Sequence, residues 1–441
     1  MTRGSVKVLK NNKLVINYKA ILLLIILVFS STQLFSQEGI KVEDVFSERT
    51  TKIKRNEFKN NLINNNIELT LSQELNDSSE AKWQNSFWAM ELMGYKSENT
   101  FTAIKSALNK FDNTTITFQR ALLEVVFTLY KNEFYHEISK VLESTHNEKI
   151  FAMAANHLIR FKNSKYNTEE FTSLLKNKFP KWNDNSILLS LYNHFNGSTE
   201  VKFKLDEIFS LKFIPNSTII FCLQRKNRNY EGAIVIRNIN EKFIRDNSGK
   251  IIIIPSLARS VTNLPYYITN GNSPQGFYSV QNIGRTSNVF IGPTPILELG
   301  MPFELSVNKF FHDQRPNTEW NFETYDELIP KEFRGNKNYY ESFYAGMAGR
   351  TEIIAHGTTI NPMYYKSETY YPNTPSLGCI TQSELWDENT GKLNFSNQAK
   401  LIEILRTVDI SNAYLLLIEI DSLNANIKLS DIQDFILKAE K

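Results

Sequence analysis

Repeating helical patterns occupy the first half of the sequence and restrict what that half can fold into. Apolar triplets with the i, i+4, i+7 spacing of one helix face recur 35 and then 31 residues further along the chain. The triplets are Trp88, Leu92 and Tyr95; Leu123, Phe127 and Tyr130; and Ala154, Leu158 and Phe161. An apolar pair follows each triplet: Ile104 with Leu108, Ile138 with Leu142, and Phe171 with Leu175. The pattern predicts stacked helix pairs, a HEAT-like solenoid over residues 80–198.

The sequence changes near residue 200, where short β-branched runs separated by Gly, Pro and Asn predict strands. The predicted strands are Thr218–Leu223, Ala233–Arg237, Lys250–Ile254, Gly276–Gln281, Glu352–Ala355 and Ala413–Ile420. A helix is expected near 336–346. Few helices separate these strands, which favours a mainly β, sandwich-like or barrel-like domain over residues 205–425. The predicted fold class is α+β multidomain, with a linker or first helices over 37–79 and a C-terminal helix over 426–441.

Residues 1–36 have the layout of a signal peptide. Five cations precede the apolar run Ala20–Phe29, and small polar residues follow it. This run is shorter than the roughly 20 residues that a membrane-crossing helix needs. We therefore predict an exported protein, periplasmic or associated with the cell wall, without a stable membrane span in the mature chain. An uncleaved membrane tether is the alternative.

The charge balance bears on the choice of partners. The formal charge of +3 includes the five cations of the leader, so the rest of the chain carries −2. Lys and Arg alternate with Asp and Glu along the chain, whereas a nucleic-acid-binding protein needs a clustered basic face. Nucleic acid is therefore not an expected partner.

Only two cysteines occur, Cys222 and Cys379, although an exported protein meets an oxidising compartment. Cys222 lies in the apolar run Ile219–Leu223, which is typical of a buried thiol acting as a small hydrophobic residue. Cys379 instead follows the turn sequence Ser376-Leu377-Gly378. A disulfide between the two cysteines, or an inert thiol at Cys379, is the alternative to a reactive cysteine.

A histidine lies 23 residues before Cys379, at the end of an apolar run: His356. A thiol with a pKa near ~8.5 is only a few per cent thiolate at neutral pH, and a nearby imidazole can activate it and protonate a leaving amine. Gly378 allows a turn that other residues cannot adopt, so the amides of Gly378 and Cys379 can form an oxyanion hole. The sequence therefore predicts a cysteine nucleophile with a histidine base, against the alternative of a structural histidine.

These residues resemble the signature of the L,D-transpeptidase (YkuD-like) family, in which a His-Gly pair precedes Ser/Thr-x-Gly-Cys. His356-Gly357 and Ser376–Cys379 match it, and Ser273–Gly276 is similar to the family's upstream Ser-Pro-x-Gly turn. The resemblance covers about half of the chain, residues 210–420. It implies a β-rich sandwich with the cysteine in a cleft and two-step acyl transfer on peptidoglycan stem peptides.

The resemblance also implies individual roles. Cys379 would form a thioester and His356 would act as its base, with the imidazole oriented by the carbonyl of Gly357. Ser376 would brace the turn by hydrogen bonding. An amine from a second stem peptide would resolve the thioester as a cross-link, or water would resolve it as L,D-carboxypeptidase activity. Neither a metal nor an organic cofactor is expected.

The sequence departs from the family at two positions. Leu377 replaces a frequent histidine before the Gly-Cys pair, and Thr381 stands where many members have Arg or Asn, which leaves the substrate preference open. The expected substrate contacts are Thr381, Tyr364, Tyr365, Pro274 and Gly276. A different class of function also remains open, a catalytically silent cell-wall scaffold whose helical repeats bind a protein partner.

Overall fold

The computed structural model describes residues 42–196, 205–210, 214, 216–370 and 376–441. The predicted signal peptide, residues 1–36, lies outside these ranges. Within them, no helix is both long enough and apolar enough to cross a membrane. The described chain begins with two short 3₁₀ turns, Val42–Asp44 and Glu48–Thr50, followed by α1 (Lys52–Asn61), which continues as a π-helix over Leu62–Leu69.

Seven helices follow in succession. They are α2 (Glu80–Met93), α3 (Glu98–Asn109), α4 (Ile116–Leu129), α5 (Tyr135–Ser144), α6 (Glu148–Leu158), α7 (Thr168–Lys178) and α8 (Ser186–Phe195), with 3₁₀ turns at Phe111–Asn113 and Trp182–Asp184. The first two members of each apolar triplet lie in α2, α4 and α6, and the trailing pairs lie in α3, α5 and α7. Helix α2 packs on α4, α4 on α6, and α6 on α8. The helix pairs therefore stack through the faces that the periodicity marked as apolar.

Capping side chains explain where several of these helices begin. The Ser97 hydroxyl accepts from the amide of Thr100, and the Ser97 amide donates to the Thr100 hydroxyl. The two bonds form a capping box at the start of α3. Asn167 and Glu170 form the same arrangement at α7. Asn147 accepts from two amides of the first turn of α6. Each cap satisfies amides that lack an intrahelical partner, which contributes about 1 kcal/mol per cap.

The second half is built around one eight-stranded sheet. Its strands are β1 (Thr218–Arg225), β2 (Gly232–Arg237), β3 (Ile254–Ser256), β4 (Gly276–Gly284), β5 (Ile296–Gly300), β6 (Ala355–His356), β7 (Ile380–Thr381) and β10 (Ala413–Asp421). The spatial order is β3-β2-β1-β10-β4-β5-β6-β7, and β1/β10 and β6/β7 are the parallel pairs. A separate hairpin joins β8 (Glu384–Trp386) to β9 (Leu393–Ser396).

The two edges of the sheet meet. Leu257 follows β3 and pairs with Thr381 of β7 through two main-chain hydrogen bonds of 2.9 Å. A second bridge joins Ser260 to Ser376 in the same region. The sheet is therefore nearly closed, and the segment that carries the predicted nucleophile forms part of its seam.

Short helices cover the sheet. They are α9 (Leu205–Ser210), α10 (Val307–Phe310), α11 (Phe322–Asp326), α12 (Glu341–Met347), α13 (Asn397–Leu405) and α14 (Leu429–Ala439), with 3₁₀ turns at Lys331–Phe333, Lys337–Tyr340 and Pro362–Tyr365. The helix expected near 336–346 is present as a 3₁₀ turn followed by α12. An aromatic core that includes Phe221, Phe277 and Phe343 lies between these helices and one face of the sheet.

The fold is thus mixed α and β, as the sequence predicted at that level, while the solenoid and sandwich assignments stay predictions. Residues Lys41–Lys441 pack as one compact unit, and the division into two domains also stays a prediction. The strand predicted over Lys250–Ile254 is wrong in its bounds. Only Ile254 belongs to β3, and Ile251 forms an isolated bridge with Arg245 instead. The chain turns there at Gly249, which shortens the regular pairing.

Candidate active site

Strands β6 and β7 bring the predicted base and nucleophile to neighbouring strand ends. His356 pairs with Thr381 in parallel register, and the amide of Ile380 donates to the carbonyl of Ile354 at 2.9 Å. Cys379 immediately precedes the first residue of β7, and β7 pairs with the strand that carries His356. The predicted nucleophile and the predicted base therefore lie on adjacent segments of the sheet.

The turn before Cys379 depends on a glycine. Gly378 has φ +122°, a conformation that side chains with a Cβ rarely adopt. Its amide donates to the Ser376 hydroxyl at 3.1 Å, and that hydroxyl donates to the carbonyl of Cys379 at 2.8 Å. The bracing contact that the resemblance implied for Ser376 is therefore present. Because the Gly378 amide is engaged, the amide of Cys379 is the better candidate for an oxyanion donor.

A buried arginine fixes the other side of this turn. Arg350 is 7% exposed and donates to the carbonyls of Tyr266, Asn272 and Gly271 at 2.5, 2.7 and 3.0 Å. A Cβ at Gly378 would overlap its guanidinium and lie 2.7 Å from the Gly271 carbonyl. Burial lowers the pKa of Arg350 to about 10, whereas the nearby Cys379 acts to raise it. Arg350 therefore clamps the loop over 266–272 against the nucleophile turn and places a positive charge near the thiol.

The stacked helices hold that same loop from outside. Lys149 of α6 donates to Thr269 at 2.9 Å. The Asn156 amide donates to the Tyr267 hydroxyl at 3.1 Å. On α4, Glu124 accepts from the Asn270 amide at 2.7 Å. The helical half thus reaches the nucleophile turn indirectly, through the loop that Arg350 clamps.

The imidazole of His356 is oriented by its own neighbour. Its Nδ1 lies 2.5 Å from the carbonyl oxygen of Gly357 and donates to it. In a neutral imidazole this leaves Nε2 as the proton acceptor. The ring is 6% exposed, and burial lowers the pKa of His356 to about 4. At neutral pH the base is therefore uncharged and in the tautomer that can accept a proton.

The thiol of Cys379 is half-buried and free. Its Sγ donates to the carbonyl of Glu352 at 3.4 Å, and no hydrogen bond joins it to the imidazole among the described residues. Glu352 has φ +62°, an unfavourable backbone conformation for a glutamate. Burial raises the pKa of the Cys379 thiol, while the amide of Ile354 and the charge of Arg350 oppose this shift. In the free protein the pair is therefore a neutral thiol and a neutral imidazole.

A buried carboxyl group lies directly behind the His-Gly pair. A Cβ on Gly357 would overlap the carboxyl group of Glu384, so only glycine fits between them. Glu384 is 3% exposed and accepts from the amide of Thr358 at 2.9 Å and from the hydroxyl of Ser396 at 2.8 Å. Burial raises the pKa of Glu384 to about 7. This carboxyl group fixes the backbone that follows His356.

The remaining predicted substrate contacts either are buried within the half of the protein that contains the sheet or line a cavity. Thr381 is fully buried in the seam of the sheet, and Gly276 packs against α12 at φ +120°. Pro274 is also buried, and its carbonyl accepts from the Tyr278 hydroxyl at 2.6 Å. Contacts within the protein account for Gly276 and Pro274, whereas the buried hydroxyl of Thr381 has no hydrogen-bond partner among the described residues. The substrate role of all three stays a prediction. Leu377 is 42% exposed beside the nucleophile.

Tyr364 and Tyr365 line a large cavity between the helix pairs and the sheet. The Tyr365 hydroxyl donates to the carbonyl of Leu92 in α2 at 2.7 Å, which ties this loop to the helical half. Neither Cys379 nor His356 lines that cavity, but Ser273 does, and its hydroxyl donates to the Gly378 carbonyl at 2.7 Å. The cavity therefore reaches the back of the nucleophile turn.

Cys222 lies in β1 with no exposed surface. Its Sγ lies 3.8 Å from the Ser256 hydroxyl, and burial raises its pKa to about 11. Both cysteines are free thiols, so the predicted alternative of a Cys222–Cys379 disulfide is not what the structure contains. Among the described residues, no group of three or more His, Cys, Asp or Glu side chains converges as a metal site would require.

Sequence reasoning missed three groups at this site, namely Arg350, Ser273 as a partner of Gly378, and Glu384. Only Ser273 lies in a segment that the resemblance had marked. No local pattern distinguishes Arg350 or Glu384, because their hydrogen-bond partners lie 12 to 84 residues away in sequence. No protein-family model matches the chain, and no match was found among curated proteins or among solved structures.

Proposed function

We propose that the protein is an exported cysteine acyltransferase of the L,D-transpeptidase kind, acting on peptidoglycan stem peptides. One observation carries the proposal: Cys379 follows a glycine at φ +122° and immediately precedes β7, the strand that pairs with His356. The Nδ1 of that histidine is already engaged, which leaves Nε2 to accept a proton. The finer fold assignments, a HEAT-like solenoid and an L,D-transpeptidase-like sandwich domain, belong to the same proposal. The stacking of α2, α4, α6 and α8 supports the first of them.

In the first step, the Cys379 thiol turns from the Glu352 carbonyl towards Nε2 of His356. The proton passes to the imidazole as sulfur attacks the carbonyl carbon between diaminopimelate and the terminal D-alanine. The C–N bond then breaks, and His356 returns the proton to the departing amine, leaving a thioester on Cys379. Proton transfer accompanies attack because the resting pair is neutral. The Cys379 amide stabilises the oxyanion.

In the second step, the amine of another stem peptide attacks the thioester carbon. The C–S bond breaks, the thiol regains its proton through His356, and a cross-link results. Water in place of the amine gives a trimmed tripeptide stem instead. Cleft access and not the Cys-His pair decides between these outcomes, so both use the same residues.

The test is mass spectrometry of the protein incubated with tetrapeptide muropeptides. Wild-type protein should acquire a tripeptide acyl adduct on Cys379 and release D-alanine. Cys379→Ala should abolish both, whereas the matched change Cys222→Ala should leave both in place, because Cys222 is buried in β1 away from the turn.

Three product patterns distinguish the candidates. Dimeric muropeptides identify cross-linking, and tripeptides alone identify hydrolysis by the same site. If wild-type protein forms neither adduct nor product but still sediments with peptidoglycan, the hypothesis of a catalytically silent cell-wall scaffold replaces that of an enzyme. An adduct that persists in Cys379→Ala would overturn the assignment of the nucleophile.

A further inference from the structure

The cavity between the helix pairs and the sheet has a volume of about 890 Å³. Ligand sites in proteins span roughly 300–1,000 Å³, so this space suits a short peptide and not a protein chain. Phe127 and Arg160 line it from the helical side, and Arg259, Ser273 and Tyr365 line it from the sheet side. A ligand held there would contact both halves of the molecule.

Positive charge dominates the lining at neutral pH. The cations are Lys131, Arg160, Lys226, Arg228, Arg259 and Lys337. The carboxyl groups are Glu91, Glu341, Glu368, Glu419 and Asp421. Burial raises the pKa of Glu341 to about 8 and that of Glu91 well above its ordinary value, which favours the neutral form of both carboxyl groups.

Two more of the carboxylates are already neutralised by internal partners. Glu419 accepts from Arg228 at 2.9 Å. Asp421 pairs with Arg225, which does not line the cavity. Glu368 is thus the one cavity carboxylate without an ion pair among the described residues. Five cations of the lining form no salt bridge with a carboxylate among the described residues: Lys131, Arg160, Lys226, Arg259 and Lys337.

Arg259 is the clearest of these cations. It is 6% exposed, and its guanidinium lies over the Tyr370 ring at 4.1 Å from the centroid. Its Nε donates to Asn229 at 2.7 Å and its Nη1 to the carbonyl of Ser260 at 2.6 Å. No carboxylate forms a salt bridge with it in the described part of the chain. The charge of Glu368, an exposed carboxylate, acts on the guanidinium without forming a salt bridge. Burying a guanidinium that lacks an ion-pair partner is costly, and an anionic ligand would supply a closer counter-charge.

We propose that this cavity binds a peptide that carries several carboxylate groups. Arg259 would bind one carboxylate through Nη2, the guanidinium nitrogen without a hydrogen-bond partner among the described residues, and Lys131 with Arg160 would bind another from the helical side. The neutral carboxyl groups of Glu91 and Glu341 would donate to peptide carbonyls. The naming of this ligand as a peptidoglycan stem peptide rests on the proposed function, whereas the preference for an acidic peptide does not.

The experiment uses Cys379→Ala protein, so that turnover does not interfere, and isothermal calorimetry with three probes. The probes are triglutamate, trilysine and a soluble stem tetrapeptide. The two acidic peptides should bind, with affinity falling as salt is raised, and trilysine should not. Adding Arg259→Gln should weaken binding of both acidic peptides at least about tenfold, in line with loss of a charge-assisted hydrogen bond. Adding Arg245→Gln, an arginine paired with Glu440 outside the cavity, should leave binding unchanged.

A second variant guards against misfolding of Arg259→Gln. Lys131→Gln with Lys226→Gln alters two exposed side chains of the lining and should also weaken binding. The proposal is overturned if triglutamate fails to bind, if trilysine binds equally, or if both variants bind as tightly as the parent. If triglutamate binds and the stem tetrapeptide does not, the assignment to stem peptides fails. The acyl adduct on wild-type Cys379 is measured separately, so failure of the enzyme proposal is seen independently.

Discussion

The hydroxyl of Ser273 donates to the main-chain carbonyl of Gly378 at 2.7 Å and joins segments 105 residues apart. The bond connects the Ser-Pro-x-Gly turn to the Ser-x-Gly-Cys turn. Arg350 donates to the carbonyl of Asn272, next to the first turn, and packs against Gly378 of the second. The backbone that presents the nucleophile is thus held by a side chain on each flank, and the geometry of Cys379 depends on residues that do not touch a substrate.

Ser273→Ala should loosen this turn. The change leaves the buried carbonyl of Gly378 without its donor, which costs about 1–3 kcal/mol of folding free energy. Urea unfolding measures that loss, and the rate of Cys379 labelling by a thiol reagent reports the altered turn. The control is Ser248→Ala, whose exposed hydroxyl bonds only to Asp246 two residues away. Equal losses in the two variants would show that the bond to Gly378 is unimportant.

Gly378→Ala should lower the stability of the fold more than Gly249→Ala, a change at another glycine with positive φ. Both Gly378 (φ +122°) and Gly249 (φ +83°) lie at positive φ, but only a Cβ at Gly378 meets Arg350 and the Gly271 carbonyl. Strain at positive φ costs about 1–3 kcal/mol in each variant, and steric overlap adds to it at Gly378 alone. Thermal unfolding of Gly378→Ala and Gly249→Ala compares them directly. A lower melting temperature for Gly249→Ala would contradict the overlap.

His356 should make the fold less stable in acid. Its pKa is about 4 in the folded protein and about 6.5 when unfolded, so between those values the unfolded chain binds more protons. Stability is therefore fully present above pH ~6.5 and falls towards pH 4, by up to about 3 kcal/mol. His356→Gln removes this titration and should flatten the urea midpoint over that range. His136→Gln, at an exposed position, serves as the control.

Glu384 should act in the opposite direction. Its folded pKa of about 7 lies above the unfolded value near 4.3, so its stabilising contribution is complete below pH ~4.3 and is lost as the pH rises to 7. Glu384→Gln keeps a neutral side chain of similar shape, and it should gain stability relative to the wild type as the pH rises. The same change at the exposed Glu332 should show no such trend. A parallel pH profile for Glu384→Gln and wild type would mean that the carboxyl group is ionised throughout.

The resting thiol of Cys379 should be protonated at neutral pH. Burial raises its pKa, and the neutral imidazole of His356 adds no positive charge. The ultraviolet thiolate absorbance that distinguishes wild type from Cys379→Ser should therefore emerge only above pH ~8.5. Cys222 should label more slowly than Cys379 because it has no exposed surface. A thiolate band at pH 6 would point to a preformed ion pair.

Local patterns carried much of what the sequence predicted correctly. The helices around Leu92, Leu123 and Leu158 were predictable because the i, i+4, i+7 spacing depends only on neighbours in the chain. Strands β1, β2 and β10 were found for the same reason, since each contains a continuous apolar run, and β4 contains the shorter apolar stretch Phe277–Tyr278. Strand β5 was missed because its partners β4 and β6 define it more than its own residues do.

The site was predictable only as far as its motifs extend. Cys379, His356 and the glycines beside them follow one another in recognisable short segments. Arg350 and Glu384 do not, because each is a buried ionisable side chain whose role depends on carbonyls or amides that folding brings to it. A lone Arg or Glu in a sequence resembles any solvated surface residue, so burial, which creates the functional role, is the property that sequence shows least.

The pairing of Leu257 with Thr381 has a mechanical consequence for the nucleophile. Thr381 is two residues from Cys379, and its main chain joins the two edges of the nearly closed sheet. Displacing the backbone of the cysteine would strain that seam, so a reacting acyl group is accommodated more readily by rotation of the thiol and by movement of the opposing wall. The position of the sulfur is therefore coupled to the closure of the sheet.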